Sequence, residues 1–194
     1  MKKLLFAVLL LCPAFAAAEP ASLANRPNVQ LNISKMEPKG DFKMIADKMD
    51  WDADVSVGLT GGYNLADILE LGLAIQSFGS YEEDEVILGD KWESDTSLYS
   101  LGLYAKVLAP QFQLSSDTGL SIYGKIGVGQ YYIDNNIKRN HVTVAESYDH
   151  TGISFGGGAD INFPNWMVGL EYQLHRVDYE TMVQNIGVNV GYRF

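Results

Sequence analysis

The chain alternates apolar and polar residues with a period of two. Residues 183–194, VQNIGVNVGYRF, set Ile186, Val188, Val190, Tyr192 and Phe194 on one face. Asn185, Gly187, Asn189, Gly191 and Arg193 fall on the other. Residues 166–177 likewise oppose Trp166, Val168, Leu170, Tyr172 and Leu174 to Gly169, Glu171, Gln173 and His175. The alternation recurs at 149–163, 119–133, 97–107, 68–79 and 53–64, and more weakly at 28–36. Alternation of this kind marks a strand with one apolar and one polar face. It predicts eight strands, most of them 10–13 residues long. Soluble strands average about 5–6 residues, whereas a tilted strand crossing a bilayer needs about 9–11. The lengths therefore favour a membrane barrel over a soluble β-sandwich.

The connections point the same way. Short turns at 64–67 and 163–165, and a longer one at 108–118, alternate with the segments 37–52, 80–96 and 134–148 and a short fourth near 178–182. Short turns at one end and longer loops at the other are the pattern of an outer-membrane barrel. The predicted fold is all-β: an eight-stranded antiparallel up-and-down transmembrane β-barrel, with both termini on the short-turn side. Its apolar face meets lipid and its polar face lines the interior. That polar face carries Glu70, Asp160 and Glu171 together with Lys106, Lys125 and Arg193. A buried charge without a partner costs several kcal/mol, so three acids and three bases predict ion pairs in a filled interior. Eight strands enclose a space that side chains can fill. Inward glycines at 102, 127, 156, 158, 187 and 191 leave room for Tyr104, Tyr123 and Tyr131. Tyr63, Tyr132, Trp166, Tyr192 and Phe194 lie near strand ends, where amphipathic rings suit the headgroup level.

Composition changes this picture at a few points. The chain has 14 Lys+Arg against 24 Asp+Glu, a net charge of −10. That balance argues against nucleic acid as a partner, because binding phosphates needs a basic surface. One Cys excludes a disulfide framework and any multi-Cys zinc site. A mean hydropathy of −0.03 excludes a bundle of spanning helices, but alternating strands average to such a value. Residues 1–18 form their own unit. Lys2 and Lys3, the apolar run Leu4–Leu11 and Ala16-Ala17-Ala18 read as a secretory signal peptide cleaved before Glu19. The barrel domain is then 19–194. Leu11 before Cys12 is not the small residue of a lipoprotein signal, so the thiol leaves with the leader.

Two groups of residues suggest chemistry. Glu82, Glu83, Asp84, Glu85, Asp90, Glu93 and Asp95, with Lys91 as the one base among them, lie in the second long loop. Clustered carboxylates hold divalent cations in some proteins. No Asp-x-Asp-x-Asp-Gly spacing supports a defined cage here, so the cluster reads as a solvated acidic loop and no metal is assigned. Divalent ions would at most bridge it loosely to lipopolysaccharide phosphates. Trp51 and Trp92, one in each of the first two long loops, are of a type favoured as interface anchors, with insertion into the headgroup belt as the alternative. The second group is histidine. His150 and His175 fall on the inward face near the outer strand ends, with His175 near Ser154 and His150 near Asp178. A His/Ser pair is a nucleophile and its base in some enzymes. Inward His and Ser are also ordinary polar fillers, and no catalytic residue is assigned.

The residues also resemble a family. The terminal VNVGYRF, with Val188, Val190, Tyr192 and Phe194 alternating, looks like the assembly signal of Gram-negative outer-membrane barrels. VGLEYQLHRVD (168–178), SIYGKIGVGQYYID (121–134) and GLTGGYNL (58–65) resemble strands of the OmpA-type eight-stranded barrel. The resemblance implies location in the outer membrane and recognition by the barrel assembly machinery. OmpX/Ail-like adhesins are similar in size, but their protruding loop sheet is not evident in this sequence. The lipid A-modifying barrels are also similar in size, but the Phe-His-x-Ser-Asn-type pattern of the deacylases is absent. The expected role is therefore a non-enzymatic barrel without cofactor, acting in membrane integrity or in surface interaction through the loops 37–52, 80–96 and 134–148. Its expected partners are outer-membrane lipid and lipopolysaccharide, and a host or surface ligand bound through its loops. The alternatives are a small porin and a lipid A-modifying enzyme.

Overall fold

A computed structural model describes residues 22–39, 55–87, 90–139, 142–179 and 181–194. The segment 1–18, read above as a signal peptide, and Trp51 lie outside the described residues. Every regular element among the described residues is a strand: β1 (Pro27–Lys39), β2 (Val55–Ala66), β3 (Leu69–Ile87), β4 (Asp90–Leu108), β5 (Phe112–Ser115), β6 (Thr118–Arg139), β7 (Val142–Asn162), β8 (Trp166–Arg176) and β9 (Met182–Arg193). All pairings are antiparallel, and the sheet closes. β4 pairs with β6, and β1 pairs with both β2 and β9. The wall thus contains eight long strands. The short β5 hangs from β6 at one end, within the connection 109–117.

The distribution of side chains is inverted relative to a water-soluble protein. Leu170 is 65 % exposed, whereas Glu70 is 1 % exposed. Only a lipid solvent outside and a polar lumen inside make that arrangement favourable. The alternation in sequence produces it directly, because successive Cβ atoms point to opposite faces of a strand. At the short-turn end, Trp166, Tyr192 and Phe194 meet edge to face on the outer surface, with ring centroids 5.0 Å apart in each pair. Nearer the other end, Tyr99 stacks on Tyr132 at 5.0 Å. These two groups sit where headgroups would meet the rings.

The structure corrects two expectations. The described residues of the segments 80–96 and 134–148 are strands, not loops. β3 and β4 stay paired out to Ile87↔Asp90, β4 and β6 to Trp92↔Arg139, and β6 and β7 to Arg139↔Val142. The second correction follows from it. A four-stranded sheet protrudes beyond the barrel, where the sequence had given no sign of one. Its residues are mostly polar and lie on no lipid face, so the apolar alternation that marked the other strands is missing. Backbone pairing holds the sheet together instead. A bulge between Ser77 and Ser80 marks the point where β3 leaves the barrel wall. Gly79 there has φ 93°, a conformation that suits glycine.

Candidate functional site

The lumen is filled in three layers. The middle layer is polar. Lys106 Nζ meets Asp160 Oδ2 at 2.7 Å, with both side chains almost fully buried. Lys125 Nζ meets Glu171 Oε1 at 3.0 Å. The Tyr123 hydroxyl donates to Glu171 Oε2 at 2.7 Å, and Asn189 Nδ2 donates to that hydroxyl at 3.2 Å. Glu70 forms no ion pair among the described residues. It accepts from the Tyr104 hydroxyl at 2.7 Å and from Asn28 Nδ2 at 3.1 Å. Arg193 donates to Asn162 Oδ1 at 3.1 Å. The structure therefore places all six charged residues inside and joins four of them in two ion pairs. Glu70 and Arg193 remain apart, with Asn28 opposite Arg193 in the ladder and hydrogen-bonded to Glu70.

Glycine makes the tyrosines fit. A Cβ on Gly72 would lie 2.6 Å from the Tyr104 hydroxyl, and one on Gly158 would lie 2.5 Å from that of Tyr123.

Toward the protruding sheet the lumen turns apolar. Met36, Phe78, Leu98, Tyr131, Val177 and Val183 pack into one buried cluster. This plug was not anticipated. Its signal was present, because most of these residues continue the inward parity of a polar one two positions away, as Phe78 does after Gln76 and Val183 before Asn185. At the opposite end Leu23 packs with Leu108 and Tyr123. Asp67 holds the segment that carries Leu23, accepting from Ser22 Oγ at 2.8 Å, Leu23 N at 2.7 Å and Ala24 N at 3.0 Å. Arg26 clasps the closing seam through the carbonyls of Phe194 at 3.1 Å and Pro164 at 3.0 Å. Between the plug and the ion pairs lies a lumenal cavity of about 50 Å³, room for a few waters.

The histidines separate. His175 lies opposite Ser154 in the ladder but bonds the Tyr131 hydroxyl through Nδ1 at 2.9 Å. Phe78 meets its ring edge to face at 4.9 Å. It is buried inside the barrel, 4 % exposed. His150 lies on the exposed part of β7 opposite Tyr131. His141 lies outside the described residues. In the acidic cluster, Glu82, Glu83, Asp84, Glu85 and Asp90 occupy paired backbone positions in the β3–β4 hairpin, and their side chains lie outside the described ones. Glu93 is half-buried and Asp95 is exposed. Among the described residues no group of His, Cys, Asp or Glu is arranged to hold a metal ion. Val188, Val190, Tyr192 and Phe194 face outward on or just past β9.

The family model for the outer membrane protein beta-barrel domain matches residues 4–194. The chain belongs to this outer-membrane β-barrel family. Solved structures agree on the fold. The outer-membrane barrel resembles OprG of Pseudomonas aeruginosa at TM-score 0.57 and 15 % identity, covering 92 % of this chain and 99 % of that one. It resembles the N-terminal barrel of OprF from the same organism at TM-score 0.56 and 17 % identity, covering 90 % and 100 %. It resembles Ail, the attachment invasion locus protein of Yersinia pestis, at TM-score 0.53 and 17 % identity, covering 88 % and 99 %. Ail has also been solved with the heparin analogue sucrose octasulfate. No curated protein sequence matches the chain.

Proposed function

We propose that this outer-membrane barrel is a non-enzymatic surface protein that binds its partner through the protruding sheet. The carrying observation is the free edge of β7. β8 pairs with β7 only from Ile153↔Arg176 inward, so residues 142–152 bond to β6 on one side and to no described strand on the other. An unpaired strand edge offers a row of backbone donors and acceptors, and an extended partner segment can add to such an edge. The residues of that edge from 143 to 151 are exposed. The similarity to an attachment protein fits this reading. The filled lumen supports it against a porin, since an apolar plug and two ion pairs occupy the space a channel would need. Buried His175 supports it against lipid A chemistry, since its ring lies inside the wall and away from lipid.

On this reading a leader at 1–18 exports the chain, and the assembly machinery reads the outward residues of β9. The short-turn end faces the periplasm and the sheet faces outside, among lipopolysaccharide and host or neighbouring surfaces. The test compares the whole barrel with one in which both hairpins are cut back to the rim, replacing 80–96 and 135–147 by tight turns. Cells displaying the whole barrel should adhere to host-cell or matrix-coated surfaces, and cells displaying the shortened barrel should not. Equal adherence at equal surface display would overturn the proposal.

A further inference from the structure

The short-turn mouth of the lumen holds a second feature. A cavity of about 310 Å³ opens there, lined in part by Leu23, Arg26, Gln111, Gln113, Asn165 and Arg193. Three buried polar atoms of these residues have no partner: Arg193 Nε, Gln111 Oε1 and Gln113 Oε1. Arg193 is 3 % exposed. Leaving a charged donor buried and unmatched costs more than leaving a neutral one. Neither Arg193 nor Arg26 forms an ion pair among the described residues. Arg26 meets main-chain oxygens and the Asn165 side-chain oxygen instead, and Arg193 feels its repulsion together with the attraction of Glu70 and Asp160 deeper in the lumen. Glu70, the acid left over inside, is already held by Tyr104 and Asn28. Asp117 on the cavity rim is exposed to solvent.

The unmet needs of this cavity are specific. It has one buried charged N–H without an acceptor and two amide oxygens without donors. Leu23 and Phe163 add apolar wall. A bare anion would meet the guanidinium groups and leave the glutamine oxygens unmet. A neutral amide would do the reverse. We propose that the cavity is a binding site for a small carboxylate that also carries an amide N–H, that is, a peptide-type carboxylate. Its carboxylate accepts from Arg193 Nε in a charge-assisted hydrogen bond, the stronger kind, with Arg26 beside it on the rim. Its amide N–H donates to Gln111 or Gln113. The site is separate from the protruding sheet. Its periplasmic placement rests on the orientation proposed above, but its chemistry does not.

The test uses the full barrel, ¹⁵N-labelled and refolded in neutral maltoside micelles. N-acetylalanine, N-acetylalaninamide, acetate and chloride are titrated in turn at constant ionic strength. N-acetylalanine should give saturable shifts at Gly119, Asn165 and the Gln111 and Gln113 side-chain amides. Acetate and N-acetylalaninamide should each bind about tenfold more weakly, the loss of about 1.4 kcal/mol. Gln111→Ala with Gln113→Ala should reduce N-acetylalanine to the acetate level. Arg26→Gln, on the half-buried rim, should weaken it while the barrel spectrum persists. Non-saturating shifts would overturn the proposal. So would equal binding of acetate and N-acetylalanine, or unchanged binding in both variants.

Discussion

Lys106 and Lys125 stand directly opposite each other on β4 and β6, yet each is neutralised by a different strand. Lys106 reaches Asp160 on β7, and Lys125 reaches Glu171 on β8. Each also crosses to the tyrosine of the other's strand. Lys106 Nζ lies 3.7 Å from the Tyr123 ring centre, and Lys125 Nζ lies 4.7 Å from that of Tyr104. Like charges facing across a ladder are destabilising. The crossed arrangement screens them with π faces and carboxylates. Lys106→Ala should leave the buried Asp160 without a cation and lower stability by about 3–5 kcal/mol. Lys125→Ala should cost less, because Glu171 keeps hydrogen bonds from Tyr123 and Gln173. Urea unfolding in micelles measures both, and an unchanged midpoint for Lys106→Ala would show that Asp160 does not depend on it.

The apolar plug gives a second expectation. Phe78→Ala should cost about 3–5 kcal/mol as a large-to-small core change. It should also thin the barrier between the lumenal cavity and the outside. In planar bilayers the wild type should show no stable open channel, and Phe78→Ala with Met36→Ala should show brief small openings. A stable nanosiemens-scale channel in the wild type would refute the filled lumen.

The last residue is expected to act before the barrel exists. Deleting Phe194 should reduce assembled barrel in the outer membrane while the chain still reaches the periplasm. The readout is heat-modifiable migration of the membrane fraction. Normal levels of assembled protein would contradict the role given to this end of β9.

Asp67 makes the short-turn end acid-sensitive. The Ser22 hydroxyl, with the backbone N–H groups of Ala24 and Leu23, holds its carboxyl below the usual carboxylate range. A lowered folded pKa contributes stability above the unfolded value, and that stability is lost as pH falls through the folded one. The amide protons of Leu23 and Ala24 should therefore lose exchange protection at the acid end, below the ordinary Asp range of about 3.9. Asp67→Asn should remove the pH dependence. Protection that persists unchanged to about pH 2, well below that range, would sink this account.

Period two was enough to read the wall, because lipid imposes an apolar residue at every second position that it touches. The lumen obeys a looser rule. Its polar middle was legible in Glu70, Lys106, Lys125, Asp160, Glu171 and Arg193, but which acid meets which base depends on strands lying across the barrel. Phe78 and Met36 carried the right parity, yet an apolar residue on a polar face does not itself announce a plug. The protruding sheet was illegible for a different reason. Above the bilayer no solvent sorts the two faces, so Asn135, Asn136 and Glu146 pair as well as any apolar residue would. The roles of Arg26 and Asp67 were hidden because each acts on distant backbone atoms.

The closing seam has a kinetic meaning. Nearly every neighbouring pair in the wall is also neighbouring in sequence, so most of the barrel can form by short hairpin steps. The exception is β1 with β9, where Leu31 meets Val190 and Asn28 meets Arg193. Contacts between residues far apart in sequence form slowly, because loop-closure entropy is lost before any contact compensates for it. The rate of barrel formation is thus concentrated at one junction. Until that junction closes, the chain is an open sheet with two sticky margins, and whatever escorts it to the membrane must shield both.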